Sequence, residues 1–279
     1  MASVVRDRIV SAPDSQLALA AALNGSSQAA GDVPASVGVD LGTATTVLAV
    51  LASDGRPMWV GQRESRAIRD GVVVDFVAAS SAVESLRLEA EAALGHPLEA
   101  AAVAYPPQTS DGVRDTCRYV VERAGLDCAA IVDEVSAANR LLNLTEGAIV
   151  DVGGGSTGVG ILSQSRLVEV GDLPGGGHHL DLILAGALGL DTAEAERRKR
   201  LGDVPGLLAI LRPGVERIAD RVLTILGERR PPLLELVGGG LKLAGAAAIV
   251  EGLTGIPVRM REHPELVTPL GIALSMRAA

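Results

Sequence analysis

Aromatic residues are nearly absent from this chain of 279 residues, which has one Phe, one Trp and two Tyr. Sites for single-stranded nucleic acid need aromatic rings on which bases stack and a positively charged groove, whereas the net charge here is −9. We therefore expect no nucleic-acid partner. Because 48% of the residues are hydrophobic all the same, the core must be built from Ala, Val, Leu and Ile, with helices packed against β-branched strands.

Cysteines and long apolar runs are also scarce. The two cysteines, Cys117 and Cys128, provide neither a disulfide framework nor a cysteine-based zinc site. No stretch reaches the roughly 18 apolar residues that a membrane helix needs, and no convincing secretory cleavage pattern follows the start of the chain. We therefore expect a cytoplasmic, reduced protein with no membrane span.

Glycine, by contrast, is abundant at 33 residues, and the chain from Val37 onward divides into two similar halves. Each half predicts a strand, a glycine turn, two further strands and then helices. Residues 1–36 differ, because they predict one short helix followed by a linker rich in Ser, Gly and Ala. We interpret this segment as a flexible N-terminal extension.

Local signals also predict where individual helices begin and end. Ser81 and Glu84 have the spacing of a capping box and predict a helix start, and Gly95 predicts the end of that helix. A later amphipathic helix is predicted to be entered through Pro213, and the last helix is predicted to follow Pro269.

Two segments repeat the same pattern 111 residues apart: DLGTATT (Asp40–Thr46) and DVGGGST (Asp151–Thr157). Each ends a buried strand with Asp, turns through glycine and hydroxyl residues, and returns as a strand. Glycine lets successive backbone N–H groups point into one concavity, where they can hold phosphate oxygens. A strand-end Asp can hold hydrated Mg²⁺. With a third glycine cluster at Gly238–Gly240, the pair predicts a polyphosphate site.

A second interpretation of DVGGGST is a dinucleotide fingerprint. Gly153, Gly155 and Gly158 satisfy G-x-G-x-x-G, and Asp172 follows at a suitable distance. That fingerprint must open a helix, whereas the residues after Gly158 predict a hairpin. A third interpretation is that these glycines only make tight turns.

Five segments resemble, in the same order, the motifs of the actin-like ATPase superfamily, which includes the ATPase domain of heat-shock chaperones, bacterial actin-like proteins and sugar kinases. DLGTATT and DVGGGST resemble its two phosphate loops. Ile131–Asn139 resembles the first connecting motif and Val267–Leu274 the second. Val237–Gly245 resembles the adenosine motif.

The resemblance implies an α/β, ribonuclease H-like fold of two lobes, each a mixed sheet flanked by helices, with a nucleotide cleft between them. The implied domains are an extension at 1–36, lobe I at 37–146, lobe II at 147–266, and a C-terminal helix at 267–279 that returns to lobe I.

The resemblance also implies a site for ATP and Mg²⁺. Asp40 and Asp151 would position Mg²⁺ through water, and Glu134 would act in catalysis together with Asp151. On the residues alone, the alternative for Glu134 is a helix-start carboxylate stabilised by the helix dipole. The segment that contains Glu196 and Lys199 is equally a solvated charged face. The implied nucleotide-binding residues are Asp40, Gly42, Thr43, Ala44, Gly153, Gly154, Gly155, Ser156, Glu196, Lys199, Gly238, Gly239 and Gly240.

Departures from the superfamily pattern affect catalysis more than binding. Val135 stands where the first connecting motif normally has Pro, and Gly158 stands where the chaperones have a further Asp. We also find no match to the chaperone lysine that helps to place the attacking water. Since phosphoryl transfer depends on positioning and charge stabilisation, lost polar groups should lower turnover more than affinity. We expect no complete heat-shock chaperone, because no peptide-binding domain follows Leu274.

Within the superfamily, the chain resembles the ethanolamine utilization protein EutJ family, chaperone-like proteins of microcompartment operons. The resemblance rests on RDGVVVDF, AAVAYPP, LPGGGHHLDLILAGALGL and VTPLGIA. It implies an ATP-binding chaperone-like protein with weak or absent hydrolysis, whose partners are microcompartment enzymes or shell proteins. A nucleotide-dependent filament or scaffold protein and a small-molecule kinase are the alternatives. The apolar run Leu17–Leu23 is then either a docking helix for the microcompartment or part of a disordered tail.

Overall fold

The computed structural model describes residues 13–25, 32–65, 67–69, 72–107 and 109–276. It divides into two units. The first runs to Asn143 and resumes at Glu265, and the second is Leu144–Pro264. The sequence analysis places these boundaries after residues 146 and 266, whereas the units of the structure divide after residues 143 and 264.

The first unit is a five-stranded mixed sheet with helices on its faces. Its strand order is β3-β2-β1-β6-β7, in which β3, β2 and β1 are antiparallel neighbours and β1, β6 and β7 are parallel. Its elements are α1 (Pro13–Leu23), β1 (Pro34–Leu41), β2 (Thr45–Ala52), β3 (Pro57–Glu64), β4 (Ile68–Arg69), β5 (Val72–Val73), α2 (Phe76–Leu94), β6 (Ala100–Tyr105), α3 (Asp111–Arg123), β7 (Asp127–Asp133), α4 (Glu134–Leu142) and, after a 3-10 turn (Pro264–Leu266), α9 (Val267–Ser275).

The second unit repeats this sheet. Its order is β10-β9-β8-β11-β12, again with three antiparallel strands followed by parallel neighbours. The repeat predicted from the sequence is therefore confirmed. The elements are β8 (Gly147–Val152), β9 (Ser156–Ser163), β10 (Arg166–Pro174), α5 (Gly177–Leu188), α6 (Thr192–Leu201), α7 (Leu207–Leu226), β11 (Leu234–Val237), α8 (Ala246–Thr254) and β12 (Val258–Met260).

Aliphatic side chains fill the core of each unit, as the composition predicts. Strand β2 is buried along almost its whole length, and β8 carries Ala148, Ile149 and Val150 with no exposed surface. Trp59 is the largest fully buried side chain, and a Cβ at Gly61 would lie less than 3.0 Å from its ring. Within the described ranges, no helix is both long and apolar enough to cross a membrane.

The prediction of a flexible extension over residues 1–36 is wrong where helix α1 forms. This helix packs against β3 and buries Leu17, Ala20 and Leu23, the face that the docking hypothesis requires to be accessible. The chain after the helix is also fixed, since the Trp59 indole donates a hydrogen bond to the Gly25 carbonyl at 3.1 Å. The prediction is therefore wrong for residues 13–25, and residues 1–12 and 26–31 lie outside the described part of the chain.

Three helix starts differ from the prediction. Helix α2 begins at Phe76, because the Asp75 side chain caps it by accepting a hydrogen bond from Ala78 N at 2.9 Å; Ser81 and Glu84 lie inside the helix. Helix α7 begins at Leu207 and contains Pro213, because its apolar face continues through that position. Helix α9 begins at Val267, two residues before Pro269.

Candidate functional site

The two Asp-headed turns have the same backbone geometry. Gly42 N donates to Thr45 O at 3.1 Å, and Gly153 N donates to Ser156 O at 3.1 Å. Each turn joins two antiparallel strands in the same register, since residues 41 and 152 pair with 46 and 157. The repeat that was read from the sequence is therefore a repeat of structure.

Each turn leaves two backbone donors at its tip. Among the described residues, the N–H groups of Thr43 and Ala44 in the first unit, and of Gly154 and Gly155 in the second, have no hydrogen-bond partner. The last carbonyl group of each tip does accept a hydrogen bond: Ala44 O accepts from Ser65 N at 3.1 Å, and Gly155 O accepts from Gly175 N at 2.7 Å. Adjacent unpaired N–H groups are suited to phosphate oxygens, so the residues present fit a polyphosphate.

Asp40 and Asp151 lie at the ends of β1 and β8, and both are half-buried. Among the described residues, no group of three or more His, Cys, Asp or Glu could hold a metal ion. A cation at either position would therefore have fewer than three such side chains among the described residues as ligands. Mg²⁺ fits such a site, because it keeps several waters and takes its other oxygens from phosphates.

In the second unit, two further loops bind the carbonyl groups of the turn. Gly177 N donates to Gly153 O at 2.9 Å, and His178 N donates to Gly154 O at 2.8 Å. The loop after β11 joins them, since Gly240 N donates to Val152 O at 2.8 Å. The turn, the N-terminus of α5 and the loop 238–240 thus form one glycine-lined cluster, which we call the glycine cluster.

The need for glycine lies mainly in the loops that pack on the turn. A Cβ at Gly176 or Gly240 would lie less than 3.0 Å from the Gly153 carbonyl oxygen, and Gly238 has a φ of +85°. By contrast, a Cβ at Gly153 would lie 3.8 Å from its nearest neighbour, Ser156 O. In the second unit, closer backbone approaches therefore occur at Gly176 and Gly240, in the loops around the turn, than at Gly153 within it.

Lys199 reaches the glycine cluster from helix α6. Its Nζ donates to the Gly177 carbonyl at 2.9 Å and forms an ion pair with Asp181 at 2.6 Å. Burial raises the pKa of the Asp181 carboxyl, and the Lys199 ammonium opposes that rise. The sequence prediction missed Asp181. The sequence did contain a signal for it. Apart from two histidines, helix α5 is apolar, and Asp181 is its one acidic residue.

Glu196 faces differently from Lys199. It pairs with Arg200 on its own helix, and its side chain is 29% exposed. Its negative charge nevertheless acts on the Asp181 carboxyl, whose pKa it raises. The structure therefore brings Lys199 into direct contact with the glycine cluster, and it leaves Glu196 in a pair on the half-exposed face of α6.

Glu134 is the first residue of α4 in the first unit. The cap of this helix is Asp133, whose side chain accepts from Ser136 N at 2.8 Å. Burial raises the pKa of the Cys117 thiol to about 12, and the Glu134 carboxylate adds to that rise. Cys117 is 3% exposed and is part of the hydrophobic core of the first unit.

The dinucleotide-fingerprint interpretation is wrong. Strand β9 continues through Gly158, where the fingerprint requires a helix. Asp172 instead lies on β10 directly opposite Gly158, and Asp151 lies opposite Gly158 on β8.

Comparison with known proteins identifies similar sequences. The family model described as MreB/Mbl protein matches residues 62–185. Ethanolamine utilization protein EutJ of Salmonella typhimurium (strain LT2) is 34% identical over 264 residues, which cover 94% of this chain and 93% of that protein. A chaperone protein HscA homolog of Laribacter hongkongensis is 30% identical over 191 residues, covering 63% of this chain and 30% of that protein.

Solved structures agree with the predicted fold. The crystal structure of ethanolamine utilization protein EutJ from Carboxydothermus hydrogenoformans has a TM-score of 0.88 and 35% identity, and the match covers 94% of this chain and 97% of that chain. MreB 5 of Spiroplasma citri bound to AMPPNP has a TM-score of 0.68 and 17% identity, covering 84% and 93%. The predicted actin-like fold, with two mixed sheets flanked by helices, is confirmed.

Proposed function

This chain belongs to the ethanolamine utilization protein EutJ family, and from that premise we propose that it is an ATP-binding, chaperone-like protein. Its role would be to assist the assembly or reactivation of partner enzymes in an ethanolamine-utilization microcompartment. Hydrolysis of ATP would be weak or absent. The proposed setting is the cytoplasm, in association with the microcompartment.

The glycine cluster of the second unit is the observation that carries ATP binding. Three loops meet there through the carbonyls of Val152, Gly153 and Gly154, and the N–H groups of Gly154 and Gly155 have no partner among the described residues. A phosphate chain needs donors of this kind. The solved MreB 5 structure with AMPPNP, which has the same fold, supports a nucleotide as the ligand.

We assign the residue roles that the superfamily resemblance implies. Asp40 and Asp151 would each position Mg²⁺ through water, and the ion would supply charge neutralisation for the phosphates. Asp151 and Glu134 are the assigned catalytic pair. Phosphate oxygens are assigned to the turn residues Gly42, Thr43, Ala44, Gly153, Gly154, Gly155 and Ser156, and the nucleoside to Glu196, Lys199 and Gly238, Gly239 and Gly240.

Weak hydrolysis is supported by Gly158. This residue lies directly between Asp151 and Asp172 in the sheet and contributes no side chain. In the chaperones that the chain resembles, an Asp stands at this position. Positioned polar groups provide most of the acceleration in phosphoryl transfer, so this loss lowers turnover while the binding loops stay intact.

Microcompartment enzymes or shell proteins are the proposed partners. The support is family membership, because the similar proteins are named for ethanolamine utilization. Co-purification of the tagged chain from cells that express the microcompartment genes tests this assignment. Recovery of those enzymes or shell proteins with ATP present is the expected result, and their absence with and without ATP would contradict it.

Isothermal titration calorimetry with ATP and Mg²⁺ tests the proposed site. The wild-type chain should bind ATP at millimolar concentration or below, and Asp40→Ala and Asp151→Ala should each weaken binding by about tenfold or more in the presence of Mg²⁺. An absence of binding by the folded wild-type chain at millimolar ATP would refute the proposal.

A nucleotide-dependent filament protein is the second candidate, and the match of the MreB/Mbl protein model to residues 62–185 favours it. Light scattering separates the two candidates. Scattering that rises with protein concentration only when ATP is present would support a filament. Constant scattering from a chain that binds ATP would support the chaperone-like role.

A further inference from the structure

Lys199 and Asp181 form a deeply buried ion pair next to the glycine cluster. The Lys199 side chain is 11% exposed and that of Asp181 is 4% exposed, with Nζ and Oδ1 2.6 Å apart. A lysine in this position would ordinarily be interpreted as a counter-ion for phosphate. Here its charge is already balanced by a carboxylate that water barely reaches, so the pair presents almost no net charge to a ligand.

The ammonium group is also held in place by backbone. Its second contact is the Gly177 carbonyl, at 2.9 Å. A Cβ at Gly177 would lie 3.4 Å from Nζ and 3.0 Å from the Cα of Gly240, so the Lys199 head group lies against the junction of the two loops. An ammonium has three N–H donors, and the bond to the Gly177 carbonyl uses one of them, whereas Asp181 Oδ1 is held close to Nζ by charge.

The surroundings of the pair contain two further titratable groups that act on Asp181. Glu196, from α6, raises the pKa of the Asp181 carboxyl, and His178, from α5, lowers it. The ion pair with Lys199, at 2.6 Å, is the contact through which Asp181 acts on the ammonium. Asp181 therefore balances the charge of Lys199 and, together with the Gly177 carbonyl, holds its head group in position.

We propose that Asp181 is a positioning residue that makes Lys199 a hydrogen-bond donor to the nucleoside instead of a counter-ion to the phosphates. The inference rests on the proposed ATP binding and adds a selectivity to it. A neutralised, fixed donor favours a ligand with a polar acceptor at that position, such as a ribose hydroxyl or a purine nitrogen. It gives no advantage to a ligand that offers only negative charge.

The test compares ATP with inorganic tripolyphosphate, both with Mg²⁺, by calorimetry on the full chain. The wild-type chain should prefer ATP. In Asp181→Asn the carboxylate charge is lost with little change of shape. The positive charge of Lys199 is then no longer balanced, and its head group is no longer held by the ion pair. ATP affinity should fall by about tenfold, whereas tripolyphosphate affinity should rise by about threefold.

Two more variants keep the outcome clear if Asp181→Asn is poorly folded. The double variant Asp181→Asn/Lys199→Met leaves no unbalanced charge, and it should lose the preference for ATP while binding tripolyphosphate as the wild type does. The control is Glu194→Gln, which also removes one negative charge, but on α6, where Glu194 pairs with Arg197 and Arg198. It should leave the ratio of the two affinities unchanged.

The results separate this inference from the proposed function. If the wild-type chain binds no ATP, the proposed function fails and this inference fails with it. If the wild-type chain binds ATP and Asp181→Asn weakens both ligands equally, or changes neither affinity, Asp181 has only a structural role and the inference alone is overturned. A fall in the ratio of ATP to tripolyphosphate affinity only in the Asp181 variants supports it.

Discussion

In the first unit, the turn after Asp40 is closed by a hydrogen bond from Gly42 N to Thr45 O, and the turn after Asp151 in the second unit is closed in the same way. Both turns also share a bond behind the tip, from Ser65 N to Ala44 O and from Gly175 N to Gly155 O. The hairpin and its nearest support are thus the same structure built twice.

The difference lies in what packs around the turn. In the second unit the carbonyls of residues 152, 153 and 154 accept further bonds from the start of α5 and from the loop after β11. Under the proposed function, the shared turn would provide phosphate donors in both units. The additional glycine loops, together with Lys199 and Asp181, are the reason why we assign nucleoside recognition to the second unit.

The largest expected effect comes from adding a side chain inside the glycine cluster. In Gly240→Ala, the new Cβ would lie less than 3.0 Å from the carbonyl oxygens of Val152 and Gly153, so the free energy of unfolding should fall by about 3 kcal/mol. Urea denaturation followed by circular dichroism measures the loss. Gly186→Ala is the control. It lies on α5 with open space around it, and it should stabilise the chain by about 0.5–1 kcal/mol. Equal midpoints for the two variants would contradict the tight packing.

A smaller effect separates the two turns from each other. A Cβ at Gly42 would lie 2.6 Å from Thr45 O, whereas a Cβ at Gly153 would lie 3.8 Å from Ser156 O. Gly42→Ala should therefore lower the free energy of unfolding by about 2 kcal/mol, and Gly153→Ala should change it by about 0.5 kcal/mol or less. The same urea experiment measures both. A larger loss for Gly153→Ala would reverse the comparison.

The smallest effect concerns two equivalent buried threonines, Thr46 and Thr157, which have no exposed surface. The Thr157 hydroxyl donates to the Gly175 carbonyl at 2.6 Å, whereas the Thr46 hydroxyl has no partner among the described residues. Thr157→Val should cost about 1–2 kcal/mol in the free energy of unfolding, and Thr46→Val about 0.5 kcal/mol or less. Thermal unfolding of the two variants beside the wild type measures the difference. Equal losses would mean that the two hydroxyls have similar partners.

The repeat could be predicted from sequence because it is local. An Asp at a strand end, a glycine turn and a returning strand occupy seven consecutive residues, and the pattern appears twice. The core could be predicted for a similar reason, since a chain with few aromatic residues must fill it with aliphatic ones. Helix ends such as Gly95 also follow from one residue, whose φ of +71° suits glycine.

The rest depends on contacts between distant positions. Gly176 and Gly240 must be glycine because both meet the carbonyl of Gly153, and no local pattern reveals that. Asp181 gains its role only when α6 brings Lys199 beside it. Helix α1 was predicted as part of a flexible segment because its composition resembles a tail; its burial depends on β3, which follows it in the chain.

Amide hydrogen exchange with and without ATP and Mg²⁺ tests the central claim most directly, because the glycine cluster has N–H groups with no partner among the described residues. We predict that saturating ATP slows exchange by about tenfold or more at Gly154 and Gly155, with slower exchange also at residues 175–178 and 238–240. Amides of helix α8 should exchange at the same rate with and without ATP. Unchanged exchange across the glycine cluster at saturating ATP would contradict the account.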